Sequence, residues 1–455
     1  VIGRVVIAGT SSGAGKTTVA GGLIGALRAR GRRVQGFKVG PDYIDPTYHA
    51  LASGRPGRNL DAFLSGPDLI APLVRHGSAG ADIAVVEGVM GLFDGASGRG
   101  ELASTGHVAK LLRAPVILVV DAASMARSAA AIVLGYRSFD PDIDVAGVIF
   151  NHVGSDHHEE LLRDAVAGIG VPVLGALRRD ERIEVPERHL GLVPADEREA
   201  HTRTALAALA DAIARCADVE AIERLARAAP HIPGPAWSPE PADGRQASGA
   251  RIAIARGPAF SFHYQENLEL LTAAGAELVG FDPISDPALP EHADALVLAG
   301  GFPEIFGAEL QDNAPMRAAV AEFAASGRPV LAECGGLLYL CGDLDGRAMC
   351  GALPARGTMA GRLSLGYREA VAATATPWLD AGERVRGHEF HYSVVEPIRE
   401  GASPAWTLSA RGTERPEGIV AGAVQASYLH VHWAAHPDIA HRFASAALAA
   451  RPVPA

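Results

Sequence analysis

The stretch Val5-Val6-Ile7-Ala8-Gly9-Thr10-Ser11-Ser12-Gly13-Ala14-Gly15-Lys16-Thr17-Thr18 decides the fold of the first half of the chain. An apolar run enters a glycine-rich turn, and a helical pattern with Val19, Leu23, Ile24 and Leu27 on one face leaves it. Strand, glycine turn, Lys-Thr and helix is the pattern of a phosphate-binding loop. Gly13 and Gly15 let backbone N–H groups approach phosphate oxygens, while the helix N-terminus and Lys16 supply positive charge. Thr17 is placed to hold Mg²⁺, and Thr18 follows it in the first turn. Counted from Gly9, the loop has one residue more than the common spacing, so it is a variant.

Working outward, apolar runs recur at residues 34–39, 83–86, 116–121, 145–150 and 171–175. They are continuous rather than alternating, which indicates a parallel sheet covered by helices on both faces. In such sheets ligands sit at the C-terminal strand ends. Those ends carry the polar residues: Asp42 and Asp45, Glu87 and Asp94, Asp121, and Asn151. Together with Lys16 they are expected to form one site. Asp42 and Asp45 also stand in a turn beside proline, where carboxylates cap backbone N–H groups.

A chain of 455 residues exceeds one ordinary domain, and its 48% hydrophobic content fills more than one core. Residues 231–250 are rich in Pro, Gly and Ser and read as a linker. The expected division is residues 1–230, linker 231–250, and a second α/β domain at 251–455. The net charge of −11 argues against nucleic acid as a partner. No apolar run is long enough to span a bilayer, and the first residues read as a strand rather than a signal peptide. Four cysteines without a C-x-x-C pair fit a reducing, cytoplasmic setting.

In the second half, the strand Pro329-Val330-Leu331-Ala332-Glu333 runs into Cys334-Gly335-Gly336 and then a helical run. This is a cysteine nucleophile elbow: the turn lifts the sulfur above the sheet, and the helix N-terminus favours thiolate. The N–H of Gly335 and a second donor at Gly300-Gly301 are the expected oxyanion hole. A base for the thiol is sought far downstream, in Tyr428-Leu429-His430-Val431-His432-Trp433, whose alternation also fits an edge strand. His152, His157 and His158 read as solvated.

Gly-Gly-Phe-Pro-Glu, Glu-Cys-Gly-Gly and Tyr-Leu-His together resemble the triad class of glutamine amidotransferase domains. That resemblance implies that Cys334 forms a glutamyl thioester with His430 as base. The usual glutamate two residues after the histidine is replaced here by His432, which leaves open what orients His430. The first half resembles the dethiobiotin-synthetase-like branch of phosphate-loop ATPases. The resemblance implies ATP as co-substrate, Mg²⁺ at Thr17, Asp45 and Glu87, substrate contacts from Asp42, Tyr43 and Asp45, positioning of the second nucleophile by Asp94, and adenine recognition at Asn151. The fold expected is thus a phosphate-loop parallel sheet followed by a triad-type amidotransferase domain.

The order of the strings is the most specific signal. Lys-Val-Gly-Pro-Asp-Tyr-Ile-Asp-Pro, Val-Glu-Gly-Val-Met-Gly-Leu-Phe-Asp-Gly, Arg-Gly-His-Glu-Phe-His-Tyr-Ser and Ala-Ser-Tyr-Leu-His-Val-His-Trp, added to those above, resemble the corrin a,c-diamide synthase family over nearly the whole chain. The family implies ATP- and glutamine-dependent amidation of two carboxylates of a corrin, and a homodimer. The alternatives are a cobyric-acid-synthase-type or other polycarboxylate amidotransferase, and a partitioning-type regulatory ATPase whose second half is inert.

Overall fold

The apolar run before the glycine turn is β1 (Gly3–Gly9), every residue of it buried. The computed structural model describes residues 2–179, 195–240, 249–397, 403–410 and 412–451. Around β1 lie β2 (Val34–Val39), β3 (Arg58–Leu60), β4 (Ile83–Glu87), β5 (Val116–Asp121), β6 (Val145–Val153) and β7 (Val173–Arg178). Their order is β3-β2-β4-β1-β5-β6-β7, and all pairs are parallel. Six of the seven are the continuous apolar runs seen in the sequence. β3, only Arg-Asn-Leu, carries no apolar signature; its pairing with Phe37–Val39 creates it.

Helix Lys16–Ala29 places Val19, Leu23, Ile24 and Leu27 in the core, as its periodicity predicts. They meet Leu206, Leu209 and Ile213 from a helix spanning Ala195–Cys216. Each such side chain contributes about 1.5–3 kcal/mol by leaving water. After that helix, the Asp218 side chain accepts from the Ala221 N–H and starts a second helix, Val219–Ala228.

The chain divides into two compact units, with the break between Ser238 and Pro239. Residues 231–238, read above as the start of the linker, fall with the first unit. Ile232 and Trp237 are buried, the Trp237 N–H donates to Pro72 O at 3.0 Å, and Arg75 Nε donates to Pro235 O at 3.1 Å. Proline supplies carbonyl acceptors and no N–H to satisfy, so a proline-rich segment docks readily. The rest of the predicted linker, 241–248, lies outside the described residues.

The second unit has a parallel sheet of β8 (Arg251–Ala255), β9 (Glu277–Phe281), β10 (Ala295–Leu298), β11 (Val330–Glu333) and, after an excursion, β18 (Ile419–Ala421) and β19 (Val424–Ser427), in the order β18-β19-β11-β10-β8-β9. Only β18 is antiparallel to its neighbour. The excursion builds a second sheet from β12 (Asp343–Leu344), β13 (Arg347–Ala348), β14 (Ala355–Ala372), β15 (Arg384–Pro397), β16 (Trp406–Ala410), β17 (Thr413–Glu417) and β20 (His430–Val431). The long β14–β15 hairpin is antiparallel, with a register shift between Met359 and Ser364. Its residues are mixed in burial, so no continuous apolar run announces it. The last strand of the parallel sheet ends at Ser427, and within three residues the chain joins β15 in the other sheet at His430.

Candidate functional site

In the first unit the glycine turn closes on its own lysine. Lys16 is buried, and its Nζ donates to Ser11 O at 2.8 Å. Gly13 and Gly15 both have positive φ, 75° and 97°. At Gly15 a side chain is excluded twice over, because a Cβ would stand 2.2 Å from Asn151 Nδ2. That amide donates to Ala14 O at 3.2 Å, so Asn151 braces the loop from β6. Thr10 O accepts from Tyr136 Oη at 2.7 Å.

A buried charge cluster lies at the ends of β2 and β4. Thr17 Oγ1 donates to Glu87 Oε1 at 2.6 Å, Lys38 Nζ donates to the same oxygen at 2.8 Å, and His49 Nε2 lies 2.7 Å from Glu87 Oε2. Lys38 Nζ also pairs with Asp45 Oδ2 at 2.5 Å. Burial works against charge on Glu87, but Lys38 and His49 outweigh it and hold the carboxyl well below the usual range. Burial likewise opposes the Lys38 ammonium, and Glu87 and Asp45 together hold its pKa above the ordinary lysine value. Burial, with Glu87 nearby, pushes Asp45 up. Lys38 and His49 were not singled out from sequence. The available signal was a lysine inside the apolar run Val34–Val39.

The other expected residues of this site are placed as follows. Asp42 Oδ1 accepts from the N–H groups of Ile44 and Asp45, at 2.8 and 3.0 Å, so it shapes the turn. Asn59 fastens that turn by donating to Gly40 O and Asp42 O. Tyr43 is buried beside it. Asp94 Oδ2 accepts from the Gly91 N–H at 3.0 Å, and Leu92 N–H donates to Gly9 O at 2.9 Å, which ties the Asp94 loop to the phosphate loop. Thr18 lies in the first turn after Lys16.

The donor set can be tested against Mg²⁺. The Thr17 hydroxyl and the Glu87 carboxylate are adjacent hard oxygens, which suits a cation that keeps most of its waters and binds phosphate. Asp45, also expected at the metal, shares Lys38 with Glu87. Among the described residues, no group of three or more His, Cys, Asp or Glu has the arrangement of a metal site.

In the second unit, Cys334 follows β11 directly with φ 48° and ψ −97°, a strained backbone for a side chain and the geometry of a nucleophile elbow. Its N–H donates to Ser427 O at 2.7 Å, and its Sγ faces Phe390 O at 3.8 Å. A Cβ on Gly335 would stand 2.9 Å from Gly301 N, so the two expected oxyanion donors lie side by side. A Cβ on Gly300 would meet His430 Cε1 at 2.5 Å; the glycine there makes room for the imidazole. The helix-end effect expected to favour thiolate does not win. Burial and then Glu304, Glu333 and Glu417 push the thiol up, and only the Gly335 N–H opposes them.

His430 and His432 diverge. His430 Nδ1 lies 3.3 Å from Glu333 Oε2, whereas His432 Nε2 lies 3.4 Å from Glu266 Oε2. His388 stands opposite His430 in register. Burial and then His430 push it down to about 3, so it is neutral. Glu389, on the same strand, is fully buried between Arg368 and Arg415, at 2.5 Å from each. The histidines near β6 are not uniformly solvated. His157 is exposed, but His158 Nε2 bonds Met125 O at 2.6 Å and His152 Nδ1 lies 3.0 Å from Asp121. Among the described residues, no helix is long and apolar enough to cross a membrane.

Comparison with known proteins follows this division. Residues 5–193 match the CobQ/CobB/MinD/ParA nucleotide binding domain family, and residues 251–438 the CobB/CobQ-like glutamine amidotransferase domain family. The chain is 55% identical to a hydrogenobyrinate a,c-diamide synthase of Streptomyces coelicolor, covering 97% of this chain and 96% of the relative. It is 51% identical to one from Thermobifida fusca, with 99% and 98% coverage. A cobyrinate a,c-diamide synthase of Syntrophotalea carbinolica is 48% identical, with 97% of each chain covered.

Proposed function

The chain belongs to the hydrogenobyrinate and cobyrinate a,c-diamide synthase family, and from that premise we propose a glutamine-hydrolysing ligase that amidates the a and c acetate carboxylates of a corrin. One observation carries this reading: a phosphate loop and a strained cysteine elbow, each at the C-terminal end of a parallel sheet, stand on one chain.

The first unit activates the carboxylate. Lys16 and the loop N–H groups bind the nucleotide phosphates, and Asn151 keeps the loop in shape. A corrin carboxylate oxygen attacks the γ-phosphorus of ATP, ADP departs, and an acyl phosphate forms. Activation is needed because ammonia cannot expel an oxide from a carboxylate, whereas phosphate leaves readily. Thr17 and Glu87 would hold Mg²⁺, which when bound offsets phosphate charge. Lys38 holds Glu87 ionised next to the reaction and pairs with Asp45, and Asp45, Tyr43 and the Asp42 turn face the corrin carboxylate. Asp94 lies where it can position the ammonia that displaces phosphate.

The second unit supplies the nitrogen. Cys334 passes its proton to His430, its sulfur bonds the glutamine amide carbon, and the Gly335 and Gly301 N–H groups stabilise the oxyanion. Ammonia leaves, and water hydrolyses the thioester to glutamate. The buried thiol suits this order, because a thiol held protonated until glutamine binds does not react idly. A cytoplasmic homodimer completes the proposal.

The test is mass spectrometry of corrin products from hydrogenobyrinate and cobyrinate with ATP, Mg²⁺ and glutamine. Two amides per corrin, none without ATP, is the expected result. Amidation without ATP, or no amide from either corrin, would refute it.

A further inference from the structure

The thiol site uses a histidine whose customary carboxylate is missing, since His432 stands two residues after His430 and is turned toward Glu266. His432 also packs against the Tyr264 ring, 4.7 Å between centroids. A different carboxylate meets His430. Glu333 is the last residue of β11, immediately before the nucleophile. Its Oε2 lies 3.3 Å from His430 Nδ1, and its Oε1 accepts from the Val431 N–H at 3.4 Å. The Glu333 side chain is 14% exposed and the imidazole 1%. One carboxylate thus spans the end of β11 and the first residues of β20, joining the strand of the nucleophile to the strand of the base.

We propose that Glu333 is the positioning residue of the glutaminase site. This rests on the glutaminase reading above. The carboxylate accepts the Nδ1–H of His430, which fixes the tautomer and leaves Nε2 as the basic nitrogen. As the Cys334 sulfur bonds the glutamine carbon, the thiol proton moves to Nε2. The imidazolium is paired with Glu333 until it returns that proton to the departing ammonia as the C–N bond breaks. His388, across the strand pair from His430, is held neutral by burial and adds no competing charge. The carboxylate of a triad is thereby supplied from the residue before the nucleophile, not from the residue two after the base.

The test uses the full chain with corrin, ATP and Mg²⁺. Glu333→Gln keeps the shape and removes the charge. The expected result is a fall in glutamine-dependent kcat of about 10²-fold or more. The KM for glutamine should stay within about threefold, and ammonia-dependent amidation should be unchanged. In Glu333→Ala, formate should restore part of the glutamine-dependent rate. Wild-type kcat in Glu333→Gln, an equal loss with ammonia, or the loss appearing in Glu266→Gln instead would overturn the proposal. Failure of the glutaminase reading itself looks different: Cys334→Ala would still use glutamine.

Discussion

The two sites occupy the same place in two similar sheets and solve opposite electrostatic problems. The first unit buries charge and balances it: Glu87 is met by Lys38, Thr17 and His49, and Asp45 by Lys38. The second buries a thiol among carboxylates and leaves it neutral. A phosphate site must be ionised and rigid before its ligand arrives. A thiol site is safer if its charge appears only with substrate. Removing one residue should therefore have different consequences in each.

The largest effect is expected from Cys334→Ser. Glutamine-dependent amidation should fall by at least ~10³-fold while ammonia-dependent amidation persists, read by product mass with each nitrogen source. Lys16→Ala should cost on the order of 10³-fold with both sources, because phosphate binding serves either. The contrast between these two variants is the sharpest check on the division of labour. A Cys334→Ser protein inactive with ammonia, though folded, would erase it.

Lys38→Met should act on stability first. It strands two buried carboxylates, and breaking such a pair costs about 3–5 kcal/mol, measurable by urea unfolding of the first unit. The sign of its pH dependence follows from Glu87. Its folded pKa is depressed, so its contribution is present above the ordinary carboxylate range and fades as pH falls below it. In Lys38→Met that acid sensitivity should be blunted.

The smallest effect is expected at Glu304. Burial raises this carboxyl to about 7, so its folded form favours the proton, and the stability it contributes is lost as pH rises from about 4.5 through about 7. Glu304→Gln should remove that decline. It should also speed iodoacetamide alkylation of Cys334 a few-fold at pH 8, since Glu304 is the largest charge effect raising the thiol. Unchanged alkylation would mean that burial alone sets the thiol.

The same contrast explains what was readable from residues alone. The phosphate loop, β1 and helix Lys16–Ala29 are local: composition and spacing determine them, and Lys16, Thr17 and Glu87 were found together. Cys334 was found for the same reason, as a strand, a turn and a helix in one string. What escaped was non-local. Lys38 hides in an apolar strand, and His49 in a helix that reaches Glu87 only through folding. The β14–β15 hairpin is mixed in burial, and β15 lines His388 up opposite His430 through pairing that no single segment encodes. Asp42 kept its turn role, which its place beside Tyr-Ile-Asp-Pro had signalled. The thiol's raised pKa was unreadable because Glu304, in the turn after β10, and Glu417, at the end of β17, approach it from distant parts of the sequence.

The central claim is that the phosphate loop makes an acyl phosphate which ammonia then converts to an amide. The most direct measurement uses corrin labelled with ¹⁸O in its acetate carboxylates, with ATP and glutamine, and follows the label in inorganic phosphate. The account predicts one ¹⁸O transferred to phosphate for each amide formed. Amide formation with unlabelled phosphate would contradict it.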